Sequence, residues 1–525
     1  MPSLLKAQML HNGSPFRVVL PMASGPVETF APAGHAGAVQ PHDPPLIIVI
    51  DGIFFQYYRT GIARVWRSLL TAWVKSGFAQ SILLLDRGGT APKISGIQSQ
   101  VIPLHDYQNL EQDRAMLQDV CEQVGASLFI STYYTTPLTT PSVFMAYDMI
   151  PERLGADFDE PMWQDKHHAI AQAQAFIGIS QNTLNDLVQC FPDTKTKPRT
   201  VAHCGVDQIF SPATPPELER FRQKYGIHRP YFLLCAPGTG YKNAQLFFRA
   251  FGQLPSRSGF DLVCTGNQGL LEEGLRSLVP GTTIHTLQLS DEDLRLAMGG
   301  AIALVYPSHY EGFGLPVLEA LACGCPVITT PMASLPEVAG EAAIYVNPDD
   351  DRALLDALCD VQKPGLRQSL QVAGFQQSQK FSWQQMATTV EKALVNASLP
   401  LGDLSTTNYL LTPDWSQSEE VLNQALNPIL KTLAQQQIPI TLLFYTAGFN
   451  SEEVNTILTG IVFNLMMMES VDLNEHLAVA TLPPLHPVQW SVLLPQIQGR
   501  IALNCDDSQV IVLPMLQSLP IIPIS

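Results

Sequence analysis

Two glutamates, Glu311 and Glu319, stand eight positions apart in the stretch YPSHYEGFGLPVLEALACGCPVITT, which runs from Tyr306 to Thr330. Carboxylates at that spacing, one in a loop and one in a helix, can reach the same bound molecule from different sides. Gly312 and Gly314 would let backbone approach a ligand closely. The free N–H groups of a helix starting near Pro316 favour a negatively charged or oxygen-rich group. The chemistry that suits this arrangement is the holding of a phosphate or a sugar hydroxyl. Taken singly, Glu311 reads as a helix cap and Glu319 as a solvated helix residue, the usual fate of helical glutamates. It is the agreement of the glycines, the proline and the helix ends that gives the pair its meaning.

Around the glutamates the chain reads strand, loop, short helix, strand. The apolar run 301–306 enters the turn, Pro316 suits a first helical position, and Gly324 suits the position just past the helix end. Similar apolar runs recur at 46–50, 82–85, 128–131, 143–147, 176–179, 231–235, 260–264 and 283–287, separated by helical patterns. This alternation implies an α/β architecture of doubly wound parallel sheets. From about Ser405 the pattern restarts, with strands near 409–413, 440–444, 477–480, 501–504 and 520–524, which reads as a third, smaller α/β domain over 405–525. Residues 1–45, rich in Gly, Pro, Ala and His, read as a poorly ordered extension. Trp66 and Trp73 share a helix face with Leu69 and Leu70 and read as core, as do Met466 to Met468. Asp506 and Asp507 read as a helix cap rather than cation ligands.

The chain has 525 residues, enough for about three domains at ~150 residues each. Its 30 Lys and Arg against 47 Asp and Glu leave a net charge of −17, which excludes nucleic acid as a natural partner and argues against membrane binding through overall charge. No apolar run approaches the ~18 residues that span a bilayer, so any membrane association is expected to be peripheral. The nine cysteines lack zinc-site spacing and read as buried structural thiols of a reducing compartment, so a cytoplasmic protein is expected.

The run from Glu311 to Glu319, continuing through Ala320-Leu-Ala-Cys323-Gly-Cys-Pro326-Val-Ile328, resembles the E-x7-E signature of glycosyltransferase family 4, retaining group 1 enzymes of the GT-B fold. The resemblance extends over 46–398 and implies two Rossmann-like lobes facing across a cleft: 46–206 on the acceptor side and 207–398 on the nucleotide-sugar side, the latter ending in a helix from Phe381 to Asn396 that crosses back. It implies that the sugar rests on Gly312, Phe313, Gly314 and Leu315 beside Glu311, and that Glu319 binds the ribose. By the same resemblance Gly61 faces the diphosphate, with Arg59 and Arg64 as weaker candidates, although Arg64 and Arg67 also read as a solvated face. Lys242, with Asn243 beside it, aligns with the cationic end of the phosphate loop. At a strand-to-helix corner a lysine offsets charge that grows as the donor bond breaks. Asp148 follows a strand in a position where such folds put ligand groups. The base is read by backbone near Leu287 and Leu289, which leaves GDP- and UDP-sugars both open.

The expected activity is thus metal-independent, retaining transfer of a mannose- or glucose-type hexose from a nucleotide sugar to a glycan, lipid-linked or other acceptor, as in polysaccharide biosynthesis, with no cofactor. The chain departs from the family at Tyr147, where histidine is usual, and at Tyr241, where arginine is usual. These departures motivate an alternative, a catalytically degenerate GT-B protein that binds a sugar nucleotide or a partner. Residues 405–525 resemble, less specifically, tails appended to some cyanobacterial glycosyltransferases, and leave room for a protein partner there. Peripheral contact with the inner face of a membrane is compatible with all of this.

Overall fold

The computed structural model describes residues 18–19, 44–57, 61–266, 271–402, 404–468 and 476–524. The chain divides into two compact units, one comprising 48–121 and 128–393, the other 1–47, 122–127 and 394–525.

The first unit holds two parallel sheets. One is seven-stranded, in the order Gln98–Ile102, Ile82–Arg87, Ile48–Asp51, Leu128–Ser131, Ser142–Ala146, Ala175–Gly178, Arg199–Val201. The other is six-stranded, in the order Ile284–Leu287, Asp261–Thr265, Tyr231–Cys235, Leu304–Tyr306, Val327–Thr329, Ala343–Tyr345. In each, the strand that comes first in the chain lies inside the sheet; the next two add on one side and the later ones on the other. The strand order therefore reverses beside Ile48–Asp51 and beside Tyr231–Cys235, and a crevice opens at the carboxyl ends of the strands at such a reversal. The inner strands are apolar because helices cover both faces. Ile48, Val49 and Ile50 are wholly buried, as are Phe232, Leu233, Phe247, Phe248 and Phe251 in the second lobe.

Trp66 and Trp73 are fully buried in the Gly61–Ser76 helix, as expected of core residues. The Trp73 indole Nε1 donates to the Ala387 carbonyl at 3.1 Å, so the Trp383–Ala397 helix does return to the first lobe. Between the lobes, a Cβ on Gly205 would stand 2.0 Å from the Trp383 backbone nitrogen. The linker and the start of the returning helix touch backbone to backbone there, an approach open only to glycine.

The second unit carries a six-stranded parallel sheet in the order Val18–Val19, Leu477–Leu482, Ile440–Tyr445, Thr407–Leu411, Gly499–Ile501, Ile521–Ile522. Its strands from Thr407 onward repeat the winding of the other two sheets. Most of the expected extension 1–45 lies outside the described residues, but Val18–Val19 pairs with Val479 and Ala480 as an edge strand. Asp506 accepts from Arg500 at 2.6 Å and Asp507 caps the N–H groups of Gln509 and Val510, in line with a structural role. Met466 packs partly against the core, whereas Met467 is exposed, because successive helical residues point about 100° apart. Among the described residues, no helix is long and apolar enough to cross a membrane.

Candidate functional site

The loop 307–314 leaves the carboxyl end of Leu304–Tyr306, and the loop 236–243 leaves the carboxyl end of the adjacent Tyr231–Cys235, so both open onto the reversal point of the second lobe. That neighbourhood brings Lys242 onto Glu311: Nζ donates to Oε1 at 2.7 Å and to the Tyr306 hydroxyl at 2.9 Å. The ammonium also lies 5.1 Å from the ring centres of Tyr241 and Tyr306. Burial opposes its charge, yet the Tyr306 oxygen and the Glu311 carboxylate raise Lys242 above the ordinary lysine value. Its side chain keeps 22% exposure, enough for a ligand to reach it.

Ser334 Oγ fixes the glycine turn by donating to the carbonyls of Glu311, at 2.8 Å, and Phe313, at 2.9 Å. Gly314, at φ 102°, then precedes the Leu315–Ala322 helix, with Pro316 in its first turn, and Gly324 ends it at φ 72°. Glu311 caps no helix and Glu319 is not solvated; both are buried. Burial pushes the Glu319 carboxyl up to about 7, against the pull of Arg64.

The first lobe closes on this loop. Gly312 sits on the Tyr147 carbonyl so closely that a Cβ there would stand 1.9 Å from the oxygen and 3.0 Å from Asp148 Cβ. Thr183 Oγ1 donates to the Gly312 carbonyl at 3.2 Å, and the Tyr310 hydroxyl to Asp186 at 2.6 Å. Glu337 of the second lobe caps the Gln181–Cys190 helix of the first, accepting from the N–H groups of Gln181 and Asn182 at 2.8 and 2.7 Å. Although burial opposes it, His203 and those N–H groups hold the Glu337 carboxyl below its ordinary value. Asp148 is thereby brought beside Glu311. Burial raises its carboxyl, with Lys166 opposing, and the buried Lys166 donates to the Asp148 carbonyl at 3.3 Å and to Glu152 at 2.8 Å.

Gly61 begins the Gly61–Ser76 helix opposite the other helix start, since a Cβ on it would lie 3.4 Å from Leu315 Cδ1. Three side chains here are engaged within the protein. Asn243, at φ 50°, donates its side-chain NH2 to the carbonyls of Pro307 and Pro348, at 3.2 and 2.8 Å, and so staples two loops together. The Phe313 ring is buried against Phe381 and His203, so this residue offers only backbone. Arg64 belongs to no solvated face: its guanidinium pairs with Glu319 and Asp291 of the second lobe. Arg67 is exposed, and Arg59 lies outside the described residues. Leu287 and Leu289 are half-buried on the segment leading to Asp291. Tyr147 is turned into the first lobe, donating to the Thr132 carbonyl at 2.9 Å and accepting from Trp66 Nε1 at 2.5 Å.

Sequence reasoning missed Tyr306, Asp291, Glu337 and Lys166. Their partners come from distant segments, 64 residues away for Tyr306 and 227 for Asp291, and no local spacing announces such pairs. It also missed Arg87, fully buried on Asp51 at 2.7 Å and on Asp113 at 2.5 Å. An arginine closing a run as apolar as 82–85 was the available signal.

Two Rossmann-like lobes in one unit, with the named side chains gathered at their facing strand ends, define the GT-B class. The fold matches that of WaaG, a glycosyltransferase involved in lipopolysaccharide biosynthesis, with a TM-score of 0.54 at 16% identity over 66% of this chain and 99% of that one. It likewise matches Anabaena HepE, solved in complex with UDP-glucose, with a TM-score of 0.53 at 14% identity over 66% of this chain and 98% of that one. Residues 229–363, within the second lobe, match the family of glycosyl transferases group 1. Over 249 residues the chain is 30% identical to the O-antigen chain mannosyltransferase B of Escherichia coli, a match that covers 45% of this chain and 65% of that protein. The chain thus spans just under two thirds of that relative.

Proposed function

We propose that the protein is a retaining hexosyltransferase that moves a mannose- or glucose-type sugar from a UDP- or GDP-sugar to a hydroxyl of a glycan or lipid-linked acceptor, without a metal ion. The observation that carries this reading is the convergence of Lys242, Glu311 and Asp148, from three separate loops, at the strand ends where the two lobes meet. Glu319 takes the ribose hydroxyls. The diphosphate lies over Lys242 and the helix starts at Gly61 and Leu315, whose N–H groups favour anions. The sugar rests on the backbone of Gly312 to Leu315. In the reaction the bond between the anomeric carbon and the phosphate oxygen breaks while the acceptor oxygen forms a new bond on the same face. The acceptor proton passes to the departing phosphate. The charge growing on that phosphate is met by the Lys242 ammonium, which costs no reorganisation because Glu311 and Tyr306 already hold it. That this relative is a mannosyltransferase supports mannose as the first sugar to try.

Thermal unfolding with UDP, GDP and ADP, no metal added, tests the reading. One nucleotide at ~100 times its dissociation constant is expected to add about 2.7 kcal/mol, and Glu319→Ala is expected to abolish the gain. No shift with any nucleotide would refute it. The inward turn of Tyr147 favours a second reading, binding without transfer, which predicts nucleotide binding but no release of sugar from the donor to water.

The elevated Glu319 carboxyl gives a pH prediction. Ionised, it accepts both ribose hydroxyls; protonated, it commits one oxygen as a donor. Nucleotide affinity is therefore expected to rise with pH up to about 7 and to level off above it. Calorimetry should use Glu319→Gln as the reference, because the nucleotide phosphate itself titrates near about 6 in both proteins. Identical pH profiles in the two proteins would remove Glu319 from the ribose site.

A further inference from the structure

Arg64 stands at the fourth position of the Gly61–Ser76 helix, and Glu319 at the fifth of the Leu315–Ala322 helix. Helical side chains lean toward the helix N-terminus, so both reach back toward the mouth where the two helices start opposite each other. There the guanidinium crosses from the first lobe to the second. One arm donates to Glu319 Oε1, the other to Asp291 Oδ1, and the plane stands 5.5 Å from the Phe210 ring centre. Its side chain is 19% exposed, and the Glu319 side chain 6%.

This position conflicts with an idle structural role once a donor is bound. Arg64 occupies Oε1 of Glu319, so a ribose whose two hydroxyls take both carboxylate oxygens competes with it. The diphosphate of a nucleotide sugar brings about two negative charges, rising to about three as the nucleoside diphosphate departs, of which Lys242, itself shared with Glu311, meets at most one. Among the described residues of the two helix starts and the loop 236–243, Arg64 is the remaining cation that faces inward, since Arg67 is exposed. A guanidinium has five donors in a planar fork suited to phosphate oxygens, and it keeps its charge at any working pH.

We propose that Arg64 is a ligand of the donor diphosphate, held on Glu319 and Asp291 while the cleft is empty and handed to the phosphates when the ribose takes Glu319. The inference rests on the transferase reading and assigns this residue a task within it. In the filled cleft Arg64 supplies from the first lobe the positive charge that a single lysine leaves unmet, and it ties the diphosphate to lobe closure. Binding of the leaving nucleotide and approach of the acceptor side become one event.

The test compares nucleoside with nucleoside diphosphate, so that a general loss of structure cancels. Calorimetry on the full chain is run with uridine, UDP, guanosine and GDP for wild type, Arg64→Lys and Arg64→Ala. In wild type the matching diphosphate is expected to bind far more tightly than its nucleoside. In Arg64→Ala that ratio is expected to shrink roughly ten- to hundredfold, and Arg64→Lys to recover part of it. If Arg64 merely latches the empty lobes, its removal frees Glu319, and both ligands tighten together with the ratio unchanged; that result overturns the assignment while leaving the transferase reading intact. A wild type that binds none of the four ligands overturns the transferase reading, and the role of Arg64 with it.

Discussion

Gly312→Ala is expected to reduce turnover about a hundredfold while leaving nucleotide affinity within a few-fold of wild type. The added Cβ would meet the Tyr147 carbonyl oxygen at 1.9 Å and its carbon at 2.9 Å. Carbon atoms rest at roughly 3.5 to 4.0 Å, so the two chains must part by well over an ångström. Both partners are backbone, and neither can swing aside as a side chain would. Tyr147 follows the buried Ser142–Ala146 strand, while the Gly312 loop is tied down by Ser334, so each lobe resists internal change. The displacement falls on the spacing between lobes, which separates Asp148 from Glu311 and strains the Thr183 contact to the Gly312 carbonyl. A misplacement of about 1 Å can cost a factor of 10² in rate. The contacts proposed for ribose and base lie within the second lobe, which is why affinity is expected to be spared. Overpacking costs typically 1–3 kcal/mol, so the melting temperature should fall modestly. Gly460→Ala is the control: no atom lies within 4 Å of its new Cβ, and alanine favours its helix. Wild-type turnover in Gly312→Ala would show that the closed arrangement is not the working one.

How far the sequence announces this architecture depends on where a strand lies. Every inner strand of the two lobes is buried on both faces and reads as an apolar run, as 46–50 and 231–235 do. The strands it hides are edges: Gln98–Ile102, Arg199–Val201, Ala343–Tyr345 and Val18–Val19 all end a sheet. An edge strand pairs on one side only and needs no continuous apolar run, so Gln98-Ser-Gln-Val-Ile102 looks like loop until its neighbour Ile82–Arg87 is known. The same distinction holds at the site. The placement of Glu311, Gly312, Gly314 and Glu319 is legible because it is set by spacing within one turn and one helix. Arg64 is legible only as a weaker candidate by resemblance, because its partner Glu319 lies 255 residues away. Asn243 hides part of its role for a related reason: its neighbour Lys242 faces the cleft, whereas its own NH2 is drawn inward by two loop carbonyls.

Lys242→Ala is expected to raise the transfer barrier by roughly 1.5 to 3 kcal/mol, the range for hydrogen bonds to charged groups, or about ten- to a hundredfold or more in turnover. Two causes could produce such a loss. Removing the ammonium strips the departing diphosphate of a cation, and it also leaves Glu311 buried without the partner it holds at 2.7 Å. An unpaired carboxylate there would repel the donor in the ground state as well. The double variant Lys242→Ala/Glu311→Gln separates the two. If the lysine serves only to neutralise Glu311, replacing the glutamate by a neutral amide should restore turnover toward the Glu311→Gln level. If it stabilises the leaving group, the double variant should remain as slow as Lys242→Ala or slower, because the charge that needs it appears on the phosphate and not on the protein. The wild-type rate should show no lysine titration below pH ~10, since Tyr306 and Glu311 keep Lys242 charged despite its burial. Rescue in the double variant would return Lys242 to a structural ion pair, and the search for the phosphate cation would then move to Arg64.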